Sequence, residues 1–273
     1  MAKLARPLAT GQLSGLMTTN ESEIRAAGDV GVARAAAAGE SVKAAYVQSM
    51  FSDIAPRYDL LNRLLSMGID RSWRRTALRR LGWDRRPEGF YLDLCAGTLD
   101  VGAELSRQAG FKGRIIGADF AEPMLRAGVG KAPRAVLAPV VADALRLPLA
   151  SNAVDGAIVA FGIRNVQNLD AGLSEVHRVL SPGARFVILE FSTPRVALFR
   201  ALYLFYFHHI LPRIGGAISG HPTAYSYLPD SVAHFPETEE LARRMSAAGF
   251  SSVTWEAQTF GIAAIHVGEK TKA

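Results

Sequence analysis

Residues 90–100 read Phe90-Tyr91-Leu92-Asp93-Leu94-Cys95-Ala96-Gly97-Thr98-Leu99-Asp100, a short strand-forming run that enters a turn of small residues. The next ten, VGAELSRQAG, have helical spacing and close on Gly110. The same alternation continues downstream. RIIGAD (114–119) predicts a strand, 122–130 a helix, APVVADA (138–144) a strand, and VDGAIVAFG (154–162) another strand. LDAGLSEVHRVL (169–180) predicts a helix and ARFVILEFS (184–192) a strand. Short β-rich runs separated by helices imply an α/β fold, a doubly wound and mainly parallel sheet with helices on both faces. The chain then continues with a helix, TEELARRMSAAGF, and two strand-like runs, SVTWEAQTF and IAAIHVGE, which predict an antiparallel C-terminal edge and bring the sheet to seven strands.

On the N-terminal side, Tyr46, Met50, Phe51 and Ile54 recur at helical spacing and predict a helix ending near Pro56. Tyr58, Leu61, Leu64 and Leu65 predict a second, stopping near Gly68, and a third runs from Asp70 to about Leu81. Residues 41–88 thus read as a helical cap, 89–193 as the core and 194–236 as a helical insert, with a final helix and strands over 237–270. Residues 1–40, rich in Ala and Gly and without an amphipathic stripe, are expected to form a mobile leader. The first 20 residues lack the unbroken apolar run of a secretory signal, and the acids that follow them argue against a transit peptide.

The single Cys95 excludes a disulfide within the chain. Thirty-one Lys and Arg against 25 Asp and Glu leave a net charge of +6. Arg71, Arg74, Arg75, Arg79, Arg80, Arg85 and Arg86 against Asp84 account for all of it within residues 71–86. Trp and Leu interrupt these arginines at helical spacing, so a nucleic-acid partner is not expected. The longest uncharged apolar run, residues 201–212, is short of the ~20 needed to span a bilayer.

Ligands of doubly wound sheets bind at the carboxyl ends of the strands. Gly97 sits at the first such end, and Asp119, 22 residues later (119 − 97), stands where an acid holds the hydroxyls of an adenosine ribose. Asp143, at the end of the third run, is placed to accept from an exocyclic amine, or else to cap a helix. There is no G-x-G-x-x-G and no Walker sequence to cradle phosphate. A ribose acid and an adenine acid without a phosphate cradle suit S-adenosylmethionine better than a dinucleotide. The sequence offers no metal-ligand cluster, so no metal is expected.

The run DLCAGTLD…GADFAEPML…ADALRLPL…FGIRNVQNLDAGLSEVHRVLSPGARFVILEFSTP resembles the ubiquinone/menaquinone-biosynthesis C-methyltransferase family. The flanks MFSDIAPRYDLLNRLLSMGIDRSWRR and YSYLPDSVAHFPETEELARRMSAAGF…GIAAIHVGEK agree, so the resemblance covers roughly residues 45–270. It implies a class I methyltransferase fold, S-adenosylmethionine as donor and a polyprenylated hydroquinone as acceptor. By the same resemblance Thr98, Asp119, Asp143 and Ala144 contact the donor, together with Asp93 and Gly97 of the first turn. Ala160 stands where the family usually has Ser or another small residue. Leu99 replaces the family's last turn glycine, which costs roughly 1–2 kcal/mol if φ is positive there. Its side chain is expected to crowd either the methionine moiety or the helix–strand contact and so to weaken donor binding. A cofactor-impaired homologue that binds or scaffolds a quinone lipid is the alternative.

A ring carbon becomes nucleophilic when a neighbouring hydroxyl loses its proton, so the site must favour a phenolate. Arg164, just after the fourth strand, is the expected stabiliser of that anion, with pairing to a structural carboxylate as the competing reading. Asn165 is expected to orient the same oxygen, and Tyr58 and Asp59 to close over the ligands from the cap. His208 and His209 are proton acceptors by ordinary pKa alone. The expected location is the cytoplasm, with transient contact at the inner membrane face through the 71–86 arginine cluster and the aromatic segment 199–212, where the substrate's tail would emerge. A monomer and a homo-oligomer both stay open.

Overall fold

In the computed structural model, residues 43–55, 58–60, 66, 68–210, 213 and 224–271 are described, with Gly31 and Ala33 besides. The expected mobile leader and most of the helix around Leu61, Leu64 and Leu65 lie outside the described residues.

The elements follow one another as α1 (Lys43–Ile54), α2 (Ile69–Leu81), β1 (Phe90–Leu94), α3 (Asp100–Ser106), β2 (Arg114–Asp119), α4 (Glu122–Gly128), β3 (Leu137–Val141) and β4 (Val154–Ala160). Then come α5 (Leu169–Val179), β5 (Leu180–Phe191), α6 (Ala197–Phe205), α7 (Ala224–Ala233), α8 (Thr238–Ala247), β6 (Phe250–Gln258) and β7 (Ala263–Lys270). The seven strands are ordered β3-β2-β1-β4-β5-β7-β6. The first five run parallel, and β7 pairs antiparallel with both β5 and β6. The last strand in the chain therefore lies one place in from the edge, and β6 forms the edge itself.

Alternation along the strands sends side chains to two cores. Tyr91, Ile158 and Val187 face α2, α3 and α4 and meet Trp73, Leu78, Leu105 and Leu125. Leu92, Val159 and Ile188 face α5 and α8 and meet Leu173, Val176, Leu241 and Met245. Strands covered on both sides read as nearly continuous apolar runs, which is why VILEF and GAIVA carry so few polar residues. Asn168 starts α5 as its side chain accepts from Ala171 N at 3.0 Å. A third apolar cluster of Val47, Met50, Ile54, Tyr203, Phe207 and Tyr227 joins α1, α6 and α7 and borders Phe120, Phe191 and Ile262. The chain reverses its winding between β1 and β4, which opens a crevice at their carboxyl ends.

Several boundaries differ from expectation, and the fifth strand begins at Leu180, four residues before Ala184. The third strand stops at Val141 rather than running to Ala144, because Asp143 Oδ1 accepts from Leu145 N at 2.9 Å and Asp143 bridges to Arg146 in a tight turn. The helix after the glycine turn ends at Ser106, four residues before Gly110.

Candidate active site

At the β1–β4 crevice lies a cavity of about 140 Å³ bordered by Gly97, Asp119, Asp143, Ala144, Ala160 and Asn165, with Phe51 and Tyr58 of the cap on its outer side. Asp119 ends β2 and is 8% exposed. Its Oδ2 accepts from Gly97 N and its Oδ1 from Ala121 N, both at 2.8 Å. Burial raises its pKa, and these backbone N–H groups oppose that rise. The carboxylate is thus fixed against the glycine turn, placed to accept from a pair of ribose hydroxyls. Asp143 is exposed and lines the same cavity, and its Oδ1 accepts from Leu145 N, which leaves Oδ2 to accept from a ligand amine. Two acids on the wall of an otherwise largely apolar cleft fit an adenosyl group.

The crevice is built from strained backbone. Cys95, Leu99 and Phe161 have φ of 51°, 64° and 61°, a left-handed conformation costly for any residue with a Cβ. Gly162 packs so tightly that an added Cβ would stand 2.4 Å from Cys95 Cβ. Leu99 pays its strain but does not crowd the cavity: it is 2% exposed and lies over Gly117 of β2 and Gly128 of α4, in the helix–strand contact. Of the two forms of crowding expected for this residue, the structure shows the second.

A larger cavity of about 400 Å³ adjoins the first, and Phe51, Tyr58 and Phe161 line both. Its remaining lining is mostly aromatic, with Trp73, Phe191, Tyr203 and Phe207 around Arg164. Arg164 is 8% exposed; Nη1 donates to Glu190 Oε1 at 2.8 Å and to the Phe161 carbonyl at 2.5 Å, and the guanidinium lies 5.6 Å from the Phe191 ring centroid. The competing reading of Arg164, a pair with a structural carboxylate, is therefore present in the structure, and the same guanidinium borders the aromatic cavity. Burial raises the pKa of Glu190, and Arg164 opposes that rise. Asn165 Oδ1 accepts from Tyr227 Oη at 3.1 Å, which turns its amide NH₂ away from that phenol.

The cap is tied to the glycine turn by a chain of polar contacts. Thr98 Oγ1 donates to Asp59 at 2.5 Å, Lys131 Nζ bridges Asp59 and Asp100 at 2.5 and 2.6 Å, and Arg74 joins Asp100 to Asp70. Burial would raise the pKa of Asp100, but Lys131 and Arg74 outweigh it and hold the carboxyl below the usual range.

Several expected site residues lie elsewhere. Asp93 is off the cavity wall; it is buried, its Oδ2 accepts from Gly102 N at 2.8 Å, and it pins β1 to α3. Thr98 also lies behind the wall, engaged with Asp59. His209 is exposed, with Nδ1 on the Phe205 carbonyl, and the His208 side chain is outside the described residues. The arginine cluster is not a free positive patch. Arg74 pairs with Asp70 and Asp100, Arg75 with Glu104, Arg80 with Glu256 and Arg86 with Asp155. Only Arg71, Arg79 and Arg85 lack a carboxylate partner among the described residues. Among them, too, no helix is long and apolar enough to cross a membrane, and no group of three His, Cys, Asp or Glu is placed to hold a metal ion.

Three contributors were not singled out from the sequence. Glu190 carried a usable signal, an acid inside the apolar run FVILEF. Lys43, whose Nζ donates to the carbonyls of Arg164 and Val166 at 2.8 and 3.2 Å, and Tyr227 gave none, because their partners lie 121 and 62 residues away.

Residues 39–270 match the ubiE/COQ5 methyltransferase family. The chain is 48% identical over 228 residues to the ubiquinone/menaquinone biosynthesis C-methyltransferase UbiE of Geobacter sulfurreducens, covering 82% of this chain and 88% of that protein. It is 48% identical over 223 residues to the demethylmenaquinone methyltransferase of Thermus thermophilus, covering 81% of this chain and all of the relative. A SAM-dependent methyltransferase structure from Thermotoga maritima shares the fold, with a TM-score of 0.57 at 18% identity over 82% of this chain and 99% of that one. With 232 of its residues (270 − 39 + 1) inside the family's span, this chain belongs to the ubiE/COQ5 methyltransferase family.

Proposed function

We propose that this protein transfers a methyl group from S-adenosylmethionine to a ring carbon of a polyprenylated hydroquinone. The observation that carries the reading is the pair of cavities sharing Phe51, Tyr58 and Phe161, one with two carboxylates on its wall and the other aromatic with a guanidinium on its wall. The names borne by the relatives from Geobacter and Thermus agree with it.

When bound, the donor supplies a methyl group made electrophilic by the sulfonium. Asp119 would accept from the ribose hydroxyls and Asp143 from the adenine amine, and so hold the donor in the smaller cavity. Arg164 borders the acceptor cavity with Nη2 bonded to nothing among the described residues, so its charge favours the ionised hydroquinone oxygen. Asn165 lines the smaller donor cavity and not the acceptor cavity, so its amide is placed for the donor side and not for that oxygen. Ionisation raises electron density on the ring carbon, which forms the new C–C bond as sulfur keeps the electron pair of the old one. The ring proton then leaves to solvent and aromaticity returns. Alignment inside a largely apolar space supplies the rest of the acceleration.

The acceptor's tail leaves past Ile69, Phe199 and Leu202, which line the cavity and are also exposed. Phe199 stacks on Phe260 of the β6–β7 turn with centroids 4.3 Å apart, and Leu198, Phe205 and Phe260 extend the apolar rim outward. In this reading the rim dips into a membrane surface, and the three unpaired arginines add a modest, salt-screened attraction to anionic headgroups.

Incubation with methyl-labelled S-adenosylmethionine and a short-tailed hydroquinone tests the assignment, and parallel naphthoquinol and benzoquinol arms assign the ring. Label in the quinone is expected. Donor binding without transfer to either ring overturns it.

A further inference from the structure

The aromatic cavity presents a buried hydroxyl that the described residues leave unused. Tyr203 of α6 is 7% exposed, lines the cavity beside Arg164 and stacks on Phe207 with centroids 4.6 Å apart. Its hydroxyl is buried and bonded to nothing among the described residues. Three other hydroxyls on that wall are engaged: Tyr227 donates to Asn165, Ser66 donates to Asp70, and Thr259 accepts from Trp73 Nε1. Arg74 Nε, also on the wall, is buried without a partner but belongs to a guanidinium held by Asp70 and Asp100. A buried hydroxyl without a partner is unfavourable and calls for an explanation, such as a ligand that completes it.

Resting on the function proposed above, we infer that Tyr203 donates a hydrogen bond to the hydroquinone ring oxygen that ionises, and so positions the ring beside Arg164. The occupant's chemistry fits: a hydroquinone is apolar except at its ring oxygens, and the cavity is apolar except at a few points. Burial pushes the phenol's pKa up, so Tyr203 keeps its proton and acts as a donor, never as a base. A neutral donor and a cation on one oxygen both strengthen as negative charge develops there. Tyr203 is thus a positioning residue for the acceptor and has no part in holding the donor.

Tyr203→Phe removes the oxygen alone and keeps the stack on Phe207. Three readouts are compared with wild type in the full-length protein: labelled methyl transfer to a short-tailed hydroquinone across pH, S-adenosylmethionine affinity by calorimetry, and the ligand-free Tm. The turnover rate should fall by about 10²-fold, the usual loss for one donor at a developing oxyanion. Its rise with pH should move to higher pH, since the bound hydroquinone ionises less readily. Donor affinity should not change, and Tm should stay or rise because an unsatisfied hydroxyl has been removed. Turnover within twofold of wild type, or a Tm lowered by several degrees, overturns the inference. Should wild type transfer no label, it is the proposed function that fails, and this inference with it.

Discussion

Leu99 Cδ2 lies 2.3 Å from the point where a Cβ on Gly117 would stand, so each residue occupies the space the other leaves. A left-handed Leu is tolerated in the turn because its side chain gains a place in the core, over a strand position that carries no Cβ.

Leu99→Gly therefore exchanges strain for packing. Relief of the left-handed conformation returns about 1–2 kcal/mol. Loss of a buried Leu costs about 2–5 kcal/mol at comparable sites. The variant should be less stable by roughly 1–3 kcal/mol in denaturant titration. Gly117→Ala should be strongly destabilising in wild type and much milder beside Leu99→Gly; additive effects would contradict the packing account.

Arg164→Met strands Glu190 in the core with no countercharge. A loss of about 3–5 kcal/mol in stability is expected, and Arg164→Met/Glu190→Gln should recover most of it. Methyl transfer should not recover with the double variant, since the cation facing the ring oxygen is still missing. Recovery of both stability and turnover would reduce Arg164 to a structural role.

Burial pushes the pKa of Asp93 up to about 7 from an ordinary 3.8. Between those values the folded chain holds a proton that the unfolded chain has released. Stability therefore falls as pH rises from about 4 to 7 and levels off above, by an amount on the order of 4 kcal/mol. Asp93→Asn keeps the acceptor for Gly102 N and removes the titration. It should be more stable than wild type at pH 8, with the gap closing toward pH 4. A gap that widens toward acid pH contradicts the sign.

Leu198 is 67% exposed and outside both cavities. Leu198→Glu should lower co-sedimentation with phospholipid vesicles several-fold and leave turnover of a short-tailed hydroquinone in detergent unchanged. Salt should weaken wild-type binding only modestly, because four of the seven clustered arginines are spent on carboxylates. Binding abolished by salt and indifferent to Leu198→Glu would reverse that ranking.

The alternation of strand and helix from Phe90 to Phe191 was legible because each element carries its own periodicity and its own glycine or Asx stop. That Asp119 and Asp143 line one cavity was legible because Asp119 ends β2 and Asp143 lies just past the end of β3. Asp93 and Thr98 were not, since burial rather than spacing separates a carboxylate that holds a helix from one that meets a ligand. Glu256 and Glu104 gave no hint that they would neutralise Arg80 and Arg75, because those pairings span 176 and 29 residues and form only once the sheet is assembled. The inward position of β7 was hidden for the same reason: a hairpin signal says that two strands pair, and nothing about which of them reaches the sheet.

Phe51 and Tyr58 belong to the cap and border both cavities. A ligand in either space therefore meets the same two side chains, so the two spaces share part of their walls. By thermodynamic reciprocity, whatever factor the methyl acceptor adds to donor affinity, the donor must return to the acceptor. Coupling carried by these shared walls belongs to the ternary complex, and it is read only when donor and acceptor are measured together.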